Sequence, residues 1–159
     1  MKFTLPTILA LAGLAAATPL EIRTLTTSHG TILAPSPSSL VSPSTTFPFN
    51  YSQSNWCHDG YSQVQVFLTD YAVTAANVNA GTGVVAPVVH AFGTFTAANF
   101  GLPPLSSALP SSLTLPDLAP KGVTTGATLY VTVVERAANC PPGGVPAQFG
   151  FTSVPVAYA

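Results

Sequence analysis

The chain has 159 residues, of which 47% are hydrophobic and only 6% charged, with a net charge of −1. A charge so small and balanced offers no field to nucleic acid or anionic lipid and excludes both as electrostatic partners. The 16 prolines and 12 glycines interrupt every stretch long enough for an amphipathic helix, which points to an all-β chain of one-domain length.

Met1 and Lys2 make a short basic start, residues 3–14 (FTLPTILALAGL) an apolar segment, and Ala15-Ala16-Ala17 a small-residue cleavage box. This is the layout of a secretory signal peptide cut after Ala17, leaving Thr18 first. The alternative, a retained membrane anchor, needs about 20 apolar residues, more than this segment supplies. Residues 71–116 carry no charge, but Gly, Pro, Asn and Thr interrupt them repeatedly, so no second span is expected. The expected organisation is a signal peptide over residues 1–17, an N-terminal arm with a Pro/Ser/Thr-rich segment over 18–44, and a β domain over 45–159.

Residues 18–30 read as an arm or an edge strand. Residues 34–46 (APSPSSLVSPSTT) read as an extended, O-glycan-prone segment or simply as a loop between strands. Strand patterns follow. Residues 45–52 alternate, with Phe47, Phe49 and Tyr51 on one face. Residues 61–69 alternate again, with Val64, Val66 and Leu68 opposite Tyr61, Gln63, Gln65 and Phe67. Residues 84–96 predict one or two strands, with Pro87 arguing for an edge or a break. Residues 102–120 (LPPLSSALPSSLTLPDLAP) form a long connection with a short strand at residues 113–115. Its Leu102, Leu105, Leu109, Leu113 and Leu115 supply either an uncharged interaction surface or the closure of one end of the domain. Leu129, Val131 and Val133 mark another strand, and residues 148–157 the last. About seven short strands separated by turns predict an all-β, antiparallel two-sheet sandwich in preference to a barrel.

Residues 50–70 (NYSQSNWCHDGYSQVQVFLTD) concentrate the unusual chemistry. Asn50-Tyr51-Ser52 is an N-glycosylation sequon at the edge of a polar turn. Cys57 and Cys140 are the only cysteines, and in an oxidising compartment they are expected to pair. Closing that loop contributes about 4–5 kcal/mol in the chain-entropy account. Trp56 is expected to pack against the bridge. His58-Asp59 are adjacent and on a strand would face opposite ways, so Asp59-Gly60 is read as a turn, with Gly60 taking a positive φ. Glu135-Arg136 reads as an ion pair or edge charge. No paired carboxylates, G-x-S-x-G elbow or metal-ligand spacing stands out, so neither catalysis, a metal nor another cofactor is expected. A site assembled from His29, His58 and His90 is the one metal alternative.

On FPFNYSQSNWCHDGYSQVQVFL, GTFTAANFGLPPL and YVTVVERAANCPPG with its aromatic tail, the chain resembles small secreted immunoglobulin-like proteins of filamentous, mushroom-forming fungi. It is loosely similar to the necrosis-inducing secreted effector family, from which the cysteine pair and the Pro/Ser-rich insertion set it apart. In size and compartment it resembles the small subunits of secreted laccases. These resemblances imply a non-catalytic accessory or interaction partner of another secreted protein, such as a secreted oxidase. The alternative is an effector or wall-associated protein that binds a host receptor or polysaccharide through aromatic residues such as Tyr61, Tyr71, Phe95, Phe100 and Tyr158.

Overall fold

A computed structural model describes residues 25–138 and 146–159. The expected signal peptide and Cys140, and with Cys140 the expected bridge to Cys57, lie outside the described residues.

Strand is the main regular structure of the described residues, with two short 3-10 turns at Ala75–Asn77 and Ala119–Lys121. Nine strands run in chain order: β1 (Thr31–Ala34), β2 (Ser39–Val41), β3 (Thr46–Pro48), β4 (Asn50–Ser52), β5 (Tyr61–Thr69), β6 (His90–Ala98), β7 (Ser112–Thr114), β8 (Thr128–Ala137) and β9 (Gln148–Tyr158). The alternating runs at residues 45–52, 61–69, 129–135 and 148–157 all become strands, because period-two patterning fits a pleated surface with one buried face. Pro87 breaks the 84–96 run, and only residues from His90 onward enter a sheet, at its edge.

The main sheet has the order β2-β9-β8-β5-β6. Its neighbours are antiparallel except β2, which runs parallel to β9 with Ser39 opposite Val156 and Val41 opposite Tyr158. The purely antiparallel expectation is therefore corrected to a mixed sheet. No tight hairpin joins β2 to β9, so nothing forces the two to run in opposite directions. Two smaller antiparallel sheets pair β1 with β4 and β3 with β7. Residues 31–41, within the stretch read as an N-terminal arm and a Pro/Ser/Thr-rich segment, are tied into the sheets through β1 and β2.

One apolar cluster joins these pieces. Val64, Val66 and Leu68 of β5, Leu129, Val131 and Val133 of β8, and Val154 and Val156 of β9 pack with Phe47, Phe49, Leu113 and Leu115. Every second residue points the same way, so three adjacent strands present one continuous apolar face. The opposite face carries Phe67, Val134 and Phe149, which pack under Val73, Val78 and Val85 from the 70–89 connection. That cover explains why β5 and β8 are buried on both sides over most of their length.

Candidate functional site

The β4–β5 loop, residues 53–60, meets the segment that follows β6. At its start, the Gln53 Nε2 donates to Ser62 Oγ at 2.8 Å. Ser54 turns inward, its N–H donating to Glu135 Oε2 at 3.1 Å and its hydroxyl to Oε1 at 2.6 Å. Asn55 and His58 both take left-handed backbone conformations, with φ of 45° and 55°, and the His58 N–H donates to the Asn55 carbonyl at 3.0 Å. At the end of the loop Asp59 is buried, and its Oδ2 accepts the N–H of Ala138 at 2.9 Å.

The expected Asp-Gly turn is corrected in its mechanism. The left-handed residue is His58, not Gly60. Asp59 reaches across to the end of β8, where its Oδ2 accepts the Ala138 N–H. A Cβ on Gly60 would lie 2.9 Å from the Leu102 Cδ1, the far end of an exposed side chain that can move aside.

Residues 99–105 lie against this loop. Asn99 donates its N–H to the Gly60 carbonyl at 2.9 Å and its Nδ2 to the Asp59 carbonyl at 2.6 Å. Phe100, with φ of 54°, is 65% exposed and stacks on the exposed His58 ring, centroids 6.1 Å apart and planes 16° from parallel. The Tyr61 hydroxyl donates to the Pro103 carbonyl at 3.1 Å. Tyr61, Phe100, Leu102 and Leu105 are all large apolar side chains left open to solvent. Beside them lies a cleft of about 440 Å³ lined by Tyr51, Gln53, Asn99, Leu102, Pro104 and Leu109.

The five leucines proposed as a surface divide. Leu102 and Leu105 are exposed, Leu109 is half-buried against the main core, and Leu113 and Leu115 are fully in it. For the last two the surface expectation is corrected. Pairing of β7 with β3 puts Leu113 opposite Phe47, and the period of two sends Leu115 inward with it. Among the aromatic candidates, Tyr158 is buried, Phe95 and Tyr71 are half-buried, and Tyr61 and Phe100 are exposed. Asn50 is exposed on β4 at the rim of a second cleft of about 520 Å³. Trp56 is half-buried.

Glu135 is the other correction. It is no edge charge but a carboxylate only 3% exposed. Besides Ser54, its Oε2 accepts the Tyr51 hydroxyl at 2.8 Å and the Gly30 N–H at 3.1 Å. Gly30 also donates to the Tyr51 oxygen at 2.9 Å. Burial, then the Glu135 charge and the hydrogen bond to it, hold the Tyr51 phenol well above its ordinary range, so it stays a donor. The periodicity carried a signal for this pair. Leu129, Val131, Val133 and Glu135 form one inward series, and Phe47, Phe49 and Tyr51 another.

The histidines sit in different settings. The His29 Nδ1 pairs with the Gly30 carbonyl at 2.8 Å. His90 meets Phe92 edge-on, and burial, then the Lys121 charge, lower its pKa. Among the described residues no group of three or more His, Cys, Asp or Glu is placed to hold a metal. No helix among them is long and apolar enough to cross a membrane. No protein-family model matches the chain, and no curated protein matches it.

Proposed function

We propose that this is a secreted immunoglobulin-like sandwich that works by binding, and that its corner at residues 58–61 and 100–105 docks an uncharged surface of another secreted protein. The observation that carries the reading is the exposed, uncharged cluster of Phe100, Leu102, Leu105 and Tyr61 against the His58 ring. Solvent-exposed apolar groups gathered in one place favour a partner that removes them from water. Two exposed aromatics among aliphatic and proline neighbours make a patch, whereas sugar recognition favours a run of aromatic faces along a groove.

A non-catalytic role is supported by the way the buried carboxylates are used. Both oxygens of Glu135 already accept protein donors, and Asp59 Oδ2 is held by Ala138. Neither is poised to exchange a proton with a substrate. The sandwich is supported by the single apolar cluster shared by the main sheet and the strands β3, β4 and β7. Cys57 is not a free thiol, which supports a bridge to Cys140. Asn50 is exposed, as a glycosylated asparagine must be. Secretion rests on residues 1–17.

Native mass spectrometry of the protein purified gently from its own culture medium tests the reading. A stoichiometric complex with a larger protein, lost in the Phe100→Ala variant, is the expected result. The chain alone, carrying one disulfide and a glycan, sinks the docking reading and moves polysaccharide or host-receptor binding ahead.

A further inference from the structure

We propose that Glu135 and Asp59 are positioning residues, two buried carboxylates that hold residues 54–59 in the one conformation that lays the His58 ring on Phe100. The inference takes its purpose from the docking reading above, but its test does not depend on a partner.

The chain has only five acidic residues, and two of them are buried at this corner. Removing a carboxylate from water is costly and is sustained only where donors satisfy it. Here the donors serve the loop. Glu135 takes both donors of Ser54 at the start of the loop, and Asp59 takes the Ala138 N–H at its end. Both anchor points belong to one run of chain, β8 and the residue just past it. The loop is therefore fastened at two ends to a central strand of the main sheet.

Between the anchors the backbone is strained. Asn55 and His58 are left-handed, a conformation that their side chains tolerate at modest cost, and Phe100 facing them is left-handed with a bulky ring that tolerates it less. Stacking between two exposed rings is too weak to hold three such residues by itself, so the surrounding bonds must over-determine them. Asn99 completes the frame, tying the Phe100 side to the Asp59 and Gly60 carbonyls. A loop ordered before its partner arrives loses little conformational freedom on binding, which is what a recognition corner requires.

Amide hydrogen exchange by NMR on the full chain tests this. Ser54→Ala removes the hydroxyl donated to Glu135 and leaves the backbone bond. Exchange of the His58 and Asn99 amides should then rise about tenfold or more, while the Val131 and Val133 amides and the unfolding midpoint hardly change. Ser54→Thr, which keeps a hydroxyl, should restore protection. Asp59→Asn keeps an acceptor for Ala138 and should resemble the parent, whereas Asp59→Ala should loosen the loop. If Asp59→Ala does not fold, the serine pair decides. Unchanged His58 and Asn99 protection in Ser54→Ala, or a rise shared equally with the core amides, overturns the proposal. Partner retention is read separately: a parent chain with no partner counts against the docking reading alone and leaves the exchange result standing.

Discussion

Glu135 and Tyr51 set the chemistry at the scale of single residues. A carboxylate 3% exposed, facing a phenol and backbone N–H groups, depends on every donor that reaches it. Glu135→Gln puts an amide N–H₂ where acceptors are needed, and it should cost about 3–5 kcal/mol in urea unfolding. Tyr51→Phe removes one donor to Glu135 and one acceptor for Gly30, and it should cost about 1–3 kcal/mol. The raised phenol also makes a pH prediction. An unfolded tyrosine loses its proton near pH 10, but Tyr51 in the folded protein holds it to higher pH. The folded state therefore binds more protons than the unfolded state above about pH 10, and stability falls as pH rises beyond that point. The urea midpoint should drop between pH 9 and pH 11 in the parent, and clearly less in Tyr51→Phe. An equal drop in both would detach the effect from Tyr51.

Strands explain which apolar residues are buried in the core and which stay exposed. Leu113→Ala should cost about 2–5 kcal/mol, because β7 presents that side chain to a closed core. Leu105→Ala, in the same connection but 45% exposed, should stay within about 0.5 kcal/mol of the parent. Equal losses from both would mean that residues 102–109 are core and not surface. The N-terminal segment lies so close to β9 that a Cβ on Gly150 would stand 2.0 Å from the Ser28 carbonyl oxygen. Gly150→Ala should therefore push residues 26–30 away from the sheet and weaken the Gly30 bonds to Tyr51 and Glu135. Faster proteolysis within residues 25–34 is the expected readout, and unchanged digestion would count against that close approach. Both edges of the main sheet are blunted: β2 is three residues long, and β6 carries a register irregularity opposite Val66 and Phe67 and a bond from the Thr96 N–H to Ser107.

Across the whole molecule, charge is scarce and its best-buried members are inside. Asp70, Asp117 and Lys121 are the exposed ionic residues among those described, with Arg136 half-exposed. Stability should shift by less than about 0.5 kcal/mol between low and high salt, since exposed pairs contribute little and the Glu135 and Asp59 bonds are shielded from ions. A partner held by the apolar corner should likewise stay bound through a salt gradient that strips electrostatic complexes. Elution of such a partner by moderate salt would place the interface elsewhere.

Much of this was legible in the order of the residues. Alternation at residues 47–51, 61–68 and 129–135 determines where the strands lie and which face is apolar, because a pleated backbone repeats every two residues whatever surrounds it. The proline and glycine punctuation determines the β class for the same local reason. Three matters were decided only by tertiary structure: the parallel seating of β2 on β9, the burial of Leu113 and Leu115, and the meeting of Ser54, Tyr51 and Gly30 on Glu135. Each depends on contacts between segments far apart in the chain, and no local period encodes which strand becomes whose neighbour.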